Sequence, residues 1–361
     1  MKFSAINFTC PGCGAPMVFS PATGKLKCEF CGREEAIDKT LGEVKEYDFR
    51  QALSHLSHQL PKHIDKTIIC SKCGGSFTLT PYSVSANCPY CGTPAITDFV
   101  REIIPESLLP FQITQKEAKA RLKKWIGSLW FAPSAFTKYF RDDSKLKGYY
   151  LPYWTYDSDT VTYYSGMRGD TYYVTVTRTV IRNGREERIQ VQEPRINWTP
   201  VSGTVTLSFD DITIGANKTL SRAIIDSVGP WNTKSLKPFD EKYLSGFLTE
   251  EYTIGLDNGF EFAKAKMRSS IEHAIRRDIG GDQQQIHTVE TQYHNITYKS
   301  VLFPLWTATF KWKEKVYRYA INAQTGKISG ERPYSIAKIA GVVIIVMMII
   351  AAAVYCDSLQ R

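Results

Sequence analysis

The sequence predicts a multi-domain chain: two small cysteine-based β units, an α+β body with mostly antiparallel sheet, and one apolar helix near the C-terminal end. Three observations predict it. Eight of the nine cysteines fall into four Cys-x-x-Cys pairs arranged as a repeat. Two helical stripes alternate with long runs of period-two β-formers in the middle of the chain. From Ile339 to Cys356 there are 18 residues without a charge.

The cysteine units come first. Cys10/Cys13 and Cys28/Cys31 recur 60 residues on as Cys70/Cys73 and Cys88/Cys91. Glycine follows each second cysteine, as Gly14, Gly32, Gly74 and Gly92, and Phe19-Ser20-Pro21 is matched by Leu79-Thr80-Pro81. Two thiolates two residues apart can hold one metal from a single tight turn, and the glycine permits the positive φ such a turn needs. Two turns complete a tetrahedral sulfur site, which favours zinc and leaves no open coordination position. The expected metal is therefore structural, with two ions in two zinc ribbons. Units this short bury too little core to fold alone, and metal binding supplies about 10–16 kcal/mol apparent in such peptides. A thioredoxin-like redox motif would occur once, beside a βαβ pattern. Interleaving of the two cysteine sets is the other arrangement, and the repeat favours separate sites. The start of the chain has one lysine and no apolar run, so no secretory segment is expected.

The resulting division is residues 1–36 for ribbon 1, 37–66 for a helical linker, 67–100 for ribbon 2, 109–333 for the α+β body and 337–356 for a transmembrane helix. In the linker, Phe49, Leu53, Leu56 and Leu60 recur at helical spacing behind an Asp48 cap, and Pro61 ends the run. His55, His58 and His63 read as solvated linker residues, because no cysteine or carboxylate cluster completes a site with them.

In the body, Thr114-Gln115-Lys116-Glu117 is a capping box opening a helix striped by Ala118, Leu122, Trp125, Ile126 and Leu129. A second helix runs from after Asp257 to about Ile279, where Gly280-Gly281 stops it; Phe260, Ala263, Met267, Ile271, Ala274 and Ile275 form its buried face. Each helix is followed by a similar strand, Leu151-Pro152-Tyr153-Trp154 or Phe303-Pro304-Leu305-Trp306, which suggests a duplicated helix-then-strands unit. The prolines should sit on an edge or at a bulge, and Trp154 and Trp306 should pack in the core rather than cage a ligand. Thr171–Ile181 and Glu187–Gln192 alternate around Asn183-Gly184, a hairpin signal. Val201–Phe209 reads as another strand, and Lys315–Asn322 and Lys327–Ser329 as a hairpin around Gln324-Thr325-Gly326.

No phosphate-binding glycine loop, Walker lysine, nucleophile elbow or His-Glu-x-x-His helix occurs in the sequence, so the expectation is a protein without catalysis. Asp157, Asp159, Asp170, Asp210 and Asp211 read as solvated turn or edge-strand residues. Asp157 and Asp159 would share one strand face, and an enzyme reading would place a pocket there or at the tryptophans.

Composition is ordinary for a globular chain, 43% hydrophobic and 22% charged over 361 residues, with net charge +9. Such a charge permits anionic lipid or nucleic acid as a partner. Its distribution argues against nucleic acid. Residues 1–36 hold four bases against three acids and residues 62–98 three against two, whereas ribbons gripping phosphates would be more basic. The excess lies in residues 111–150, nine bases against three acids, and in 310–338, seven against two. The run from Ile339 to Cys356 is long enough to cross a bilayer. Tyr334 and Tyr355 flank it, and Lys311, Lys313, Lys315, Arg318, Lys327, Arg332 and Lys338 precede it. Only Asp357 and Arg361 carry charge beyond it. The positive-inside rule then places the folded part in the cytoplasm and the chain in the cell membrane as a single-pass protein. Anionic lipid is the expected partner near 311–338. Cys356 reads as an inert thiol.

The Cys10-Pro11-Gly12-Cys13-Gly14 and Cys88-Pro89-Tyr90-Cys91-Gly92 knuckles, the Leu151-Pro152-Tyr153-Trp154 segment, and Gly330-Glu331-Arg332-Pro333-Tyr334-Ser335 before the apolar run are the marks of a resemblance. Over essentially its full length the chain resembles bacterial tail-anchored double zinc-ribbon membrane proteins. These are often labelled as like the primosomal replication helicase, and this sequence has no helicase ATPase motif to support that label. The resemblance implies association with membrane-stress systems containing phage shock protein A-like and membrane-scaffold proteins. It thus implies an adaptor recruiting protein partners to the inner membrane face. A membrane-tethered nucleic-acid binder using the ribbons is the alternative.

Overall fold

The computed structural model describes residues 2–4, 8–37, 42–56, 67–70, 76–78, 83–89, 93–96, 105–139, 146–182, 185–218, 220–313 and 315–360. His58 and His63, Cys73 and Cys91, and the Asn183-Gly184 turn lie outside the described residues, as does the side chain of His55.

Ribbon 1 is a three-stranded meander of β2 (Met17–Ser20), β3 (Lys25–Cys28) and β4 (Glu34–Glu35), preceded by β1 (Lys2–Ser4). The linker holds β5 (Tyr47–Asp48) and α1 (Phe49–Leu56), whose first turn is capped by Asp48 Oδ1 accepting from Gln51 N at 2.7 Å. Two antiparallel pairs follow, β6 (Thr67–Ile69) with β7 (Ser76–Thr78) and β8 (Ser83–Asn87) with β9 (Pro94–Ile96), and β1 joins β6 in parallel. The body runs β10 (Ser107–Leu108), α2 (Gln115–Gly127), α3 (Ser134–Tyr139), β11 (Lys147–Arg182), β12 (Arg185–Gly215), α4 (Arg222–Ser227), β13 (Lys237–Pro238), β14 (Leu248–Glu250), α5 (Leu256–Ile279), β15 (Gln283–Trp312), β16 (Lys315–Asn322) and β17 (Ile328–Gly330). The last helix is α6 (Ile336–Gln360).

The sheet is mixed and mostly antiparallel, and three very long strands dominate it. β11 has 36 residues and pairs antiparallel with β12 on one side and β15 on the other. At about 3.3 Å per residue it extends on the order of 100 Å. β15 accompanies it only as far as Gly169, opposite Gln283. Beyond that point β11 and β12 project as a two-stranded ribbon.

This differs from the several short strands expected. Gly166, Gly169, Pro194, Pro200 and Gly203 are all positions inside the strands. Pro194 and Pro200 are tolerated because β12 pairs only with β11 among the described strands, so its outer N–H groups need no partner. Gly203 lets Tyr164 lie across β12, and the Tyr164 hydroxyl donates to Asp278 Oδ2 of α5 at 2.6 Å.

β11 and β15 are built alike. Pro152 lies where the flanking strand changes from β14, which ends its pairing at Tyr150, to β12, which begins at Tyr153. Pro304 lies where the flank changes from β10, at Leu302, to β16, at Leu305. Both prolines are thus on inner strands, not on an edge, and each fills a gap between two outer neighbours where no N–H is needed. The Pro152 carbonyl accepts from Ala216 N at 2.8 Å and the Pro304 carbonyl from Ala323 N at 3.0 Å. Trp154 Nε1 donates to Ile254 O at 3.0 Å, just before α5, and Trp306 Nε1 donates to Ile113 O at 2.8 Å, just before α2. Each tryptophan therefore anchors the helix associated with the other strand.

Alternate residues of the two strands face opposite cores. Leu151, Tyr153, Val301 and Phe303 face α4 and Trp231. Trp154 and Tyr156 face α5 through Phe260, Ala263 and Met267. Tyr150 and Trp306 face α2 and α3 through Ala118, Leu122 and Phe136. The capping box of α2 is formed, with Glu117 N donating to Thr114 Oγ1 at 3.3 Å and Thr114 N to Glu117 Oε2 at 2.8 Å.

The tight seat of α5 gives a test. A Cβ on Gly259 would stand 2.2 Å from Tyr156 Oη and 2.8 Å from Trp154 Cδ1. Gly259→Ala gains roughly 1 kcal/mol of helix propensity, but overpacking costs about 1–3 kcal/mol. The expected result is net destabilisation in denaturant unfolding of the detergent-solubilised chain.

Candidate metal centre

In ribbon 1 the turns at 10–14 and 28–32 have the same geometry. Gly14 N donates to Cys10 O at 2.9 Å and Gly32 N to Cys28 O at 3.0 Å. Cys10 N donates to Ala15 O at 2.7 Å and Cys28 N to Arg33 O at 2.8 Å, each spanning five residues. Gly14 and Gly32 have φ of 71° and 76°, the left-handed region expected of them.

These turns bring the four sulfurs together. All four Sγ atoms lie within 4.8 Å of one another, with Cys10–Cys31 and Cys13–Cys28 both at 3.5 Å. A disulfide would need about 2.05 Å, whereas tetrahedral ligation by bonds of about 2.3 Å places sulfurs roughly 3.8 Å apart. The donor set and its spacing fit zinc. Cys10 and Cys28 face the core, and Cys13 and Cys31 face solvent.

The thiol chemistry agrees. Hydrogen bonding by the Cys31 N–H, opposed by burial and assisted by the Phe30 N–H, brings Cys28 down to about 6. The Gly12 and Cys13 N–H groups lower Cys10. Cys13 goes up to about 12: the Ala15 N–H pulls it down, and the other three sulfurs together with desolvation outweigh that pull. A set in which backbone dipoles favour some thiolates while the neighbouring sulfurs and desolvation disfavour another is one that a cation would complete.

Ribbon 1 is welded to the body. Phe19 N donates to Ser245 O at 2.9 Å and Ser245 Oγ to Met17 O at 2.8 Å. The Phe19 ring lies 5.1 Å from that of Tyr243. The ribbon's Met17, Phe19 and Leu26 belong to the same core as Phe111, Tyr150 and Trp306. In the second cysteine set, Cys70 and Cys88 are buried, and Cys88 N donates to Thr93 O at 2.8 Å, again over five residues.

Asp157 and Asp211 depart from the expectation of solvated turn residues, whereas Asp210 is exposed and Asp170 half-exposed. Between Tyr156 and Ser158, β12 inserts an extra residue, with Asp211 at φ 52°; between Asp157 and Asp159, β15 does the same, with Asn295 at φ 50°. Asp157 Oδ1 accepts from Asp211 N at 2.6 Å across one bulge, and Asp159 Oδ2 accepts from Asn295 Nδ2 at 2.8 Å across the other. Both aspartates therefore hold the strands in register.

Oxygens of Asp157, Asp210 and Asp211 come within 4.8 Å of one another, close enough for a metal. Lys299 takes that role. Its side chain is only 7% exposed, and Nζ lies 2.8 Å from Asp211 Oδ1, 2.7 Å from Glu46 Oε1 and 3.9 Å from Asp157 Oδ2. Burial works to discharge Lys299, but hydrogen bonds to Asp211 and Glu46 outweigh it and hold the ammonium charged. The hydrogen bond from Lys299 lowers Glu46, whereas burial, partly offset by the Asp211 N–H and Lys299, raises Asp157. Neither Lys299 nor Glu46 stands out in the sequence.

No family model matches the chain, and no solved structure matches it. The chain is similar to a protein of Bacillus subtilis (strain 168), "Uncharacterized protein YdjG". The two are 25% identical over 338 residues, covering 93% of this chain and 92% of the relative.

Two outcomes follow from the site. Cys13→Ser should lower the zinc content of the purified chain by one ion, and zinc release to a chromogenic chelator should become easier as pH falls, because protons compete for the thiolates. Lys299→Met leaves Asp157 and Asp211 buried without a counter-charge, which costs about 3–5 kcal/mol. Burial already raises Asp157, and the variant removes the lowering effect of Lys299 on it, so the variant's stability relative to wild type should recover as pH falls towards the ordinary aspartate range.

Proposed function

We propose that this protein is a non-enzymatic adaptor held at the cytoplasmic face of the cell membrane by α6. The observation that carries the reading is α6 itself. Residues Ile336–Cys356 are long and apolar enough to cross a membrane, and none of that stretch is buried against the rest of the chain. The consecutive Val343, Ile344, Ile345 and Val346, about 100° apart around the axis, present apolar surface on all sides, which in water would be costly. The excess of lysine and arginine before α6 supports cytoplasmic placement of the folded part. The same bases, within 311–338, would be drawn to anionic lipid by about 1 kcal/mol each near the surface.

On this reading the ribbons form the docking face. Phe30, between Cys28 and Cys31, is 78% exposed on a turn that the metal would hold rigid, which suits an aromatic anchor for a protein partner. A second structural zinc would be held by Cys70, Cys73, Cys88 and Cys91, supported by the burial of Cys70 and Cys88 and by the repeated Cys88–Thr93 bond. The matched anchoring of Trp154 and Trp306 supports an internal duplication of a helix-then-strands unit as the platform. Phage shock protein A-like or membrane-scaffold proteins are the proposed partners, through the family resemblance.

The test has two arms. The full chain should resist alkaline extraction from host membranes, and a chain lacking residues 337–361 should move to the soluble fraction. Affinity purification from the host should recover membrane-associated proteins that a Cys10→Ser, Cys70→Ser double variant loses. Recovery of nucleic acid in place of protein, or recovery independent of the cysteines, would sink the adaptor reading.

A further inference from the structure

The loop between α2 and α3 is fastened to the first turn of α6. Phe131 O accepts from Ser335 N at 2.7 Å. Lys338 Nζ donates to Trp130 O at 3.0 Å and to Ala132 O at 2.8 Å. Three consecutive carbonyls of the loop thus hold on to α6, and Ser335 itself accepts from Ile339 N at 3.1 Å to start the helix. From below, Leu129 and Ala132 are buried in the body core. Held from both sides, the loop turns its two largest side chains outward: Trp130 is 74% exposed and Phe131 42%.

Nothing in the body explains two exposed aromatic rings on a rigid loop. Their position does. The apolar surface of α6 begins at Ile336, within one helical turn of the residues to which the loop is bonded. Tryptophan prefers the headgroup level of a bilayer, where its ring is half-solvated. Exposed bases surround the same end of the body: Lys123 and Lys124 close α2, and Lys313 and Lys315 stand at the turn from β15 to β16, whose Phe310 and Trp312 pack on Phe136 of α3. Aromatic side chains rimmed by lysines form a surface suited to anionic headgroups over acyl chains.

We infer that the Trp130–Phe131 loop is a second membrane contact, inserting into the interfacial layer of the bilayer beside α6 and fixing the body against the lipid surface. The inference rests on the reading of α6 as a membrane span. Its partner is the lipid interface, and continuity with α6 is what selects lipid over a protein. The loop would turn a flexible tether into a two-point mount, in which Lys338 both caps the loop carbonyls and stays out of the hydrocarbon.

The test uses the full chain reconstituted into vesicles of phosphatidylcholine and phosphatidylglycerol, with and without phosphatidylcholine brominated at shallow acyl positions. Bromine quenches tryptophan on contact. Wild-type emission should fall by about the share of one tryptophan in seven, and Trp130→Leu, which removes no buried contact, should abolish that fall. A Trp130→Leu, Phe131→Trp variant should restore it. Quenching equal in wild type and Trp130→Leu, or absent from wild type, overturns the inference. Alkaline extraction of the same vesicles separates the two failures: a chain that stays in the bilayer without Trp130 quenching loses only the loop contact, whereas an extractable chain loses the span and with it the loop.

Discussion

The antiparallel ladder between β11 and β15 is the constraint on which the other elements depend. It runs from Lys147 opposite Thr307 to Gly169 opposite Gln283. The two strands are far apart in sequence, so closing the ladder brings together everything between them: β12, α4, β14 and α5. The strands outside the pair attach to its flanks, and both tryptophan anchors project from it. Ribbon 1 reaches the same core through Phe19 and the Tyr243–Phe247 segment. The small cysteine unit is therefore supported by a core it shares with the sheet, and a metal held there would stabilise the same body as the ladder.

Local signals in the sequence carried well. The capping box at Thr114, the glycine stop after Ile279 and the knuckle glycines Gly14 and Gly32 all depend on residues within five positions, and all appear as expected. Strand length did not carry. Glycines and prolines that end strands elsewhere are absorbed here, the prolines because they stand at an open edge or a gap where no N–H donor is needed, Gly203 because a tyrosine crosses it. The charge cluster was also illegible: Glu46, Asp157, Asp211 and Lys299 come from four distant segments, and a lone lysine in a strand gives no sign of the carboxylates that will surround it. The bulges opposite Asp157 and Ser158 were illegible too, because extra residues in β12 and β15, far away in sequence, create them.

The two long helices show how much composition alone decides. α5 has one apolar stripe, from Phe260 through Met267 to Ile275, and buries it on the sheet. α6 is apolar around its whole circumference and has no surface of the protein to meet. The fold gives α6 purchase only at its first turn, through Ser335 and Lys338. That arrangement separates the task of holding the helix from the task of covering it.

The length of β11 has an electrical consequence. Its N-terminal end lies beside the strands that lead into α6, and its far end carries Arg178, with Arg188 across the hairpin. The two ends stand on the order of 100 Å apart, whereas a charge in physiological salt is felt over about 8 Å. The net charge of +9 is consequently not one property of the molecule. The lysines near α6 and the arginines at the far tip attract and repel independently of each other. Salt, or a neutralising partner at one end, leaves the other end electrically unaware of the change.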